Sequence, residues 1–288
     1  MGPKLVDYLK YEAEDTGIAW ITFNRPERRN ALMGNSQENS TVAKVGEYMR
    51  AADDDPDVRV IVLTGAGRGF CAGADMSLLQ GVESTTDEAR AAADRDAMAA
   101  SPIPDALDLP DDFSLRYTYF PSVPKPIIAA VNGPCAGLGM VMALYADIRF
   151  AADEAFFTTA FARRGLIAEH GIDYMLPHLI GLPNAMDLLL SARKISATEA
   201  HRIGLVNQVF PLASFMDDVR AYAGDLARMI SPRSMRVMKE QLYRTLTHGL
   251  GEAIEIANRE MVKSFDSEDF KEGVAHFMEK RAPAFTGR

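Results

Sequence analysis

Lys125-Pro126-Ile127-Ile128-Ala129-Ala130-Val131-Asn132-Gly133 is the stretch on which the fold of this chain turns. An uninterrupted apolar run follows Pro126 and stops at an Asn-Gly turn signal, the pattern of a strand covered on both faces. The Gly-rich Pro134-Cys135-Ala136-Gly137-Leu138-Gly139 comes next, and Met140-Val141-Met142-Ala143-Leu144-Tyr145 then reads as a short buried helix. Upstream, Val58-Arg59-Val60-Ile61-Val62-Leu63 repeats the design and ends in Thr64-Gly65-Ala66-Gly67. Further out, Gly17-Ile18-Ala19-Trp20-Ile21-Thr22-Phe23 alternates like a strand and is closed by Asn24-Arg25-Pro26. On the other side, Asp147–Ala151 and Ala155–Thr158 read as strands. Strands and helices alternate, so the fold class is α/β.

Composition narrows the function. The 288 residues are 48% hydrophobic and 25% charged, which excludes disorder and fibrous repeats. A net charge of −9 repels phosphate backbones, so no nucleic-acid partner is expected. No apolar run approaches the roughly 20 residues of a membrane helix. Met1-Gly2-Pro3-Lys4-Leu5-Val6 carries no hydrophobic signal core, and Val6 stands where a myristoylation motif has Ser or Thr. Cys71 and Cys135 are too few for a disulfide scaffold and suit a reducing compartment. The expectation is a cytoplasmic protein with no membrane partner and no metal.

Residues 83–112 are rich in Ala and Asp and broken by Pro102, Pro104 and Pro110, the composition of a helix plus a surface excursion. From about Leu212 onward β signals vanish. Ser231-Pro232 and Ser267-Glu268-Asp269 each open a helix with a capping residue. A boundary near 212 therefore divides a core, 1–212, from a helical region, 213–288.

Two segments share one design: Gly65–Asp75 and Asn132–Gly139 each follow a buried strand and lead into a helical stretch. Glycines there allow close backbone approach, and a following helix aims its N–H groups at negative charge. Facing each other, two such loops would supply two backbone donors to one oxygen, the geometry of an oxyanion hole. Each alone reads first as a purely structural turn. Neither has the spacing of a dinucleotide or P-loop phosphate site.

Gly69-Phe70-Cys71-Ala72-Gly73-Ala74-Asp75-Met76, Lys125–Gly133 and Ala146-Asp147-Ile148 closely resemble the crotonase superfamily, the enoyl-CoA hydratase/isomerase proteins. Asn24–Leu32, Ile195–Ala200 with Gly204-Leu205-Val206-Asn207, and the terminal Phe277–Phe285 pattern extend the resemblance over nearly the whole chain. It implies a spiral of ββα turns, a helical C-terminal trimerisation region, and a homotrimer or dimer of trimers. It also implies an acyl-CoA substrate, with no cofactor beyond the coenzyme A of the thioester itself. Matched by position, the N–H groups of Ala72 and Leu138 would hold the thioester oxygen. The CoA strip would comprise Ala31, Ala72, Gly73, Ala74, Asp75, Met76 and Leu138. Arg28 or Arg29 would meet the pyrophosphate, and Lys280 of a neighbouring subunit the 3′-phosphate.

The resemblance breaks at the catalytic acids. Hydratases of the family hold water between two glutamates, and Val141 and Phe161 occupy those positions here. Neither side chain transfers protons. Glu169, in Arg164-Gly165-Leu166-Ile167-Ala168-Glu169-His170-Gly171, is the replacement, and as a sole acid/base it suits proton shuttling between two carbons of an enoyl thioester. Hydration or double-bond isomerisation of an enoyl-CoA is the leading expectation. Other enolate chemistry, such as C–C bond cleavage, and acyl-CoA binding without turnover are the alternatives. His170 could assist as an acid or hydrogen-bond donor, and Tyr117 and Tyr119 could project into the pocket, but all three read as structural residues first. Asp173 reads as a cap or helix acid, and the two cysteines as small buried residues beside tight turns.

Overall fold

The computed structural model describes residues 3–34, 40–79, 88–89, 92 and 107–288. Most of the 83–112 excursion therefore lies outside the described residues. Strands β1 (Leu9–Ala13), β2 (Ile18–Phe23), β3 (Val60–Gly65) and β4 (Ile127–Val131) follow one another in space, with helix α1 (Thr41–Asp54) crossing between β2 and β3. Strands β6 (Ile148–Ala152) and β9 (Gln208–Phe210) complete a six-stranded sheet of order β1-β2-β3-β4-β6-β9. Only the β1–β2 pair is antiparallel within that sheet.

There is a second, smaller sheet. It contains β5 (Cys135–Ala136), β7 (Phe156–Thr158) and β8 (Ile195–Ser196), in the order β5-β7-β8. The chain alternates between the two sheets. It passes from β4 to β5 and then α3 (Leu138–Tyr145), and from β6 to β7 and then α4 (Ile172–Ile180) and α5 (Leu182–Ser191). Each passage is one ββα turn of the expected spiral. Helix α2 (Met76–Leu79) follows the first Gly-rich loop, and α6 (Ala197–Arg202) connects β8 to β9.

Both faces of the large sheet are buried, as the continuous apolar strands demand. Ala19, Ile21, Phe23, Ile61, Leu63, Ala129 and Val131 face the main core with α1, α3 and α4. Their neighbours Ile18, Trp20, Val60, Val62, Ile128 and Ala130 face the other way, onto Phe215, Val219 and Ala223. Those three residues lie on α7 (Phe215–Met229) at a spacing of four, one stripe of the helix. Helix α7 lies beyond residue 212, and it packs on the sheet.

Helices α8 (Pro232–Arg244), α9 (Leu250–Asp266) and α10 (Glu268–Glu279) stand further out. Ser231 and Ser267 cap α8 and α10 by accepting from Ser234 and Phe270 N–H groups. Helix α8 is anchored by Lys239, whose buried ammonium pairs with Asp147 at 2.8 Å and donates to the Phe120 carbonyl. Asp147 also accepts from the Tyr243 hydroxyl at 3.0 Å and the Ile127 N–H at 2.7 Å, tying this helix to the start of β4. Many large apolar side chains on the three helices remain exposed, among them Leu242, Ile254, Val262, Phe265, Phe277 and Met278. No helix among the described residues is long and apolar enough to cross a membrane.

Candidate active site

The two Gly-rich loops do meet. Cys71 and Cys135 pair in a parallel bridge, and Phe70 and Cys71 N–H groups donate to the Pro134 carbonyl. Close approach depends on the absence of side chains. A Cβ on Gly139 would lie 2.4 Å from the Cys71 carbonyl oxygen. Gly73, with φ of 87°, would place a Cβ 2.8 Å from the Ala136 oxygen and 3.1 Å from the Leu138 nitrogen. Residue 73 thus sits directly against the Leu138 N–H. Leu138 is the first residue of α3, so its N–H points out of the helix start with the helix dipole behind it.

The donor opposite Leu138 differs from expectation. The Ala72 N–H is spent on the Arg29 carbonyl at 3.0 Å, so it cannot serve an oxygen in the cleft. Ala74 is placed differently. It pairs with Leu32 in a parallel bridge: the Leu32 N–H donates to the Gly73 carbonyl and the Asp75 N–H to the Leu32 carbonyl. Both bonds belong to the neighbours of Ala74, so its own N–H points to the other side of the segment, away from Leu32. The donor pair that the backbone directions support is Ala74 with Leu138.

The loops are pinned by residues that the sequence reading passed over. Asn132 accepts from the Gly65 N–H and donates to the Gly65 and Gly67 carbonyls at 2.8 and 3.0 Å. Asn30, buried with φ of 57°, donates to the Ala66 and Gly69 carbonyls and accepts from the Arg25 N–H. Arg25 bridges the Ala31 carbonyl at 2.8 Å and Asp75 at 3.1 Å. Asp75 also accepts from the Ser77 hydroxyl and N–H, and these bonds with the Arg25 guanidinium hold its carboxyl below the usual carboxylate range. It anchors the loop, as its short acceptor side chain suggests. Asn30 and Arg25 both lie within the Asn24–Leu32 stretch, whose resemblance to the family is the sequence signal that marks them.

Arg28 and Arg29 are exposed on the turn beside this strip, Met76 is exposed at its end, and Ala31 and Gly73 lie within it. Lys280 is exposed at the end of α10 in a left-handed conformation with φ of 54°. Cys71 and Cys135 are fully buried, and burial pushes the Cys71 thiol up to about 12 and the Cys135 thiol well above its ordinary value. Neither is a nucleophile at neutral pH.

Helix α3 links the cradle to the side-chain wall. Val141 is fully buried one turn into it, and Phe161 is also in the core. Tyr145, about 10 Å along the helix from Leu138, donates its hydroxyl to the His170 carbonyl at 2.9 Å. Arg149 caps the same helix end by donating to the Leu144 and Ala146 carbonyls. The loop so held carries Glu169, half-buried, with Oε2 3.9 Å from His170 Nε2. Its carbonyl accepts from Ile172 in the first turn of α4. Asp173 sits in that same turn as a helix acid. Tyr119 is buried with its hydroxyl on the Val42 carbonyl, a packing role, whereas Tyr117 stacks on His170.

This architecture recurs in known proteins. A family model described as enoyl-CoA hydratase/isomerase matches residues 13–288. The chain belongs to the enoyl-CoA hydratase/isomerase family. It is 32% identical over 275 residues to the 1,2-epoxyphenylacetyl-CoA isomerase of Escherichia coli K12, covering 95% of this chain and 97% of that one. The solved structure of an enoyl-CoA hydratase from Polaromonas sp. JS666 matches with a TM-score of 0.82 at 27% identity, over 96% of this chain and 99% of its own. An enoyl-CoA hydratase from Bacillus anthracis gives 0.81 at 26% identity, over 98% and 100%. As a family member the chain is an acyl-CoA-processing enzyme, and its named relatives include both hydratases and an isomerase.

Proposed function

We propose that the protein isomerises the double bond of an enoyl-CoA, with Glu169 carrying one proton between two carbons. The thioester oxygen would lie between the N–H groups of Ala74 and Leu138. As Glu169 takes the proton from Cα of a 3-enoyl thioester, the C–H electron pair moves toward the carbonyl. Negative charge then develops on an oxygen already facing two donors and a helix start, where such stabilisation is strongest. Glu169, now protonated, returns the proton to Cγ as the electrons flow back, leaving the double bond between Cα and Cβ. Atoms and charge balance with no added water, reductant or oxidant.

The observation that carries this choice over hydration is the wall of the site. Val141 and Phe161 are buried apolar side chains where the family's hydratases hold water between two carboxylates. A water molecule there would find no acid or base at either position. The CoA strip would run from Ala72 to Met76, with Arg28 and Arg29 meeting the pyrophosphate as local cations on an acidic protein. The exposed apolar side chains of α8 to α10 support self-association through this region, with Lys280 presented to a neighbouring subunit's CoA.

A paired assay tests the reading: wild type and Glu169→Gln with 3-enoyl-CoA and 2-enoyl-CoA, products identified by chromatography and mass. Wild type should interconvert the two isomers without a gain of 18 Da, and Glu169→Gln should lose activity by about 10²–10⁴-fold. A hydrated product, or a fully active variant, would overturn the assignment. Thioester binding without turnover would favour the binding-protein alternative, and cleavage products would favour other enolate chemistry.

A further inference from the structure

His170 is held in an unfavourable backbone conformation. Its φ of 54° lies in the left-handed region, which a residue with a Cβ adopts only when its surroundings enforce it. Gly171, with φ of 72°, follows it, so the turn that aims Glu169 is built from two successive left-handed residues. A Cβ on Gly171 would meet the Tyr145 hydroxyl at 2.4 Å, so that hydroxyl closes the turn from one side. From another side the Tyr117 ring lies against the His170 imidazole, centroids 4.0 Å apart and planes inclined by 34°. Tyr117 is only 6% exposed, and the Arg116 guanidinium lies 5.8 Å from its ring centroid. The imidazole faces the Glu169 carboxylate across 3.9 Å, in a setting where both side chains are largely shielded from water.

We infer that Tyr117 and His170 are positioning residues for Glu169: Tyr117 fixes the imidazole by stacking, and the imidazole fixes the rotation of the carboxylate. The inference rests on Glu169 being the proton-transfer group. Two facts separate this arrangement from plain packing. The aromatic partner of Tyr117 is an imidazole whose outer nitrogen is turned to the carboxylate, and the contact joins residues 53 positions apart across the mouth of the acid loop. A carboxylate on a loop gains most from such a brace, because a misplacement of about 1 Å costs about a hundredfold in rate. Tyr117 thereby acts on the chemistry through His170 rather than by touching substrate.

The test reads proton abstraction alone, as deuterium wash-in at Cα of butyryl-CoA in D2O by mass spectrometry. The variants are Tyr117→Leu, Tyr117→Phe, His170→Ala, Glu169→Gln and the double variant His170→Ala/Glu169→Gln. Calorimetric binding of butyryl-CoA and a melting curve are recorded for each. Tyr117→Leu and His170→Ala should slow exchange by about tenfold or more, with binding within about threefold of wild type. Tyr117→Phe, which keeps the stack, should restore most of the rate. In the Glu169→Gln background His170→Ala should cost nothing further, because there is no carboxylate left to position. An equal cost of His170→Ala in both backgrounds, a Tyr117→Phe rate as low as that of Tyr117→Leu, or rate losses tracking lost binding would each overturn the inference while leaving Glu169 as the acid. A Glu169→Gln variant that exchanges at the wild-type rate would remove Glu169 from its role and this inference with it.

Discussion

The cradle and the wall of this site are built from different materials. In the proposed site the cradle is backbone: the N–H groups of Ala74 and Leu138 as donors, two loops closed on each other because residues 73 and 139 have no side chains, and asparagines that bond the Gly65, Gly67 and Gly69 carbonyls. The wall is side chain: Val141, Phe161, Glu169 and His170, on a helix, a turn and a loop. Backbone donors survive most substitutions around them, so they can hold a thioester oxygen in the same way for many reactions. Side chains are exchanged singly, and with them the proton chemistry changes. A protein can therefore keep the binding and enolising half of the site while its acid moves from one element to another.

Damage to each half should therefore look different. The largest effect belongs to the wall, where Glu169→Gln should cut kcat by up to about 10⁴-fold and leave thioester binding nearly unchanged. Gly73→Val should follow closely, with a loss of about 10²–10³-fold, because a side chain there crowds the Leu138 N–H and cannot easily adopt φ of 87°. Unlike the first variant, it should weaken binding as well. A Gly73→Val enzyme with normal kcat would break the comparison outright.

Two smaller effects sharpen it. Asn132→Ala leaves the Gly65 and Gly67 carbonyls without their donor, so thermal unfolding should show a loss of about 1–3 kcal/mol. The activity loss should track how far the loop relaxes, and rescue by bound acyl-CoA would show as a restored melting temperature. Smallest of all is cysteine reactivity. With the Cys71 thiol near 12, the thiolate fraction at pH 8 is about one in ten thousand. The fraction rises with pH, so alkylation of the native enzyme should stay negligible at pH 8, and both thiols should react once the chain is unfolded. Rapid labelling of the native protein would show that the cradle opens.

The cradle was largely legible in the sequence, because buried strands running into glycine-rich turns leave a local pattern. The donor proposed here, Ala74, stands two residues from the Ala72 that the resemblance implies, for a physical reason. Which N–H faces the cleft depends on the twist at Gly73 and on bonds to Arg29 and Leu32 some forty residues away. The wall was legible as a departure, in Val141 and Phe161, and as a candidate, in Glu169. Its proposed brace was not, since the Tyr117–His170 stack joins separate parts of the chain, and taken singly His170 reads as a structural loop histidine and Tyr117 as a packing or surface residue. Phe215, Val219 and Ala223 make the same point at the scale of the fold. They look like one face of a C-terminal helix, and tertiary packing lays that helix on the large sheet.

The most direct test of the division is the carbonyl stretch of a bound thioester, read by infrared difference spectroscopy with ¹³C-labelled butyryl-CoA. Bound to wild type and to Glu169→Gln, the carbonyl should shift to lower frequency by the same amount, because the polarising donors are backbone groups in both. Bound to Gly73→Val, it should return toward its value in water. A carbonyl that is unshifted in wild type, or whose shift vanishes in Glu169→Gln, would contradict a backbone cradle that works independently of the acid.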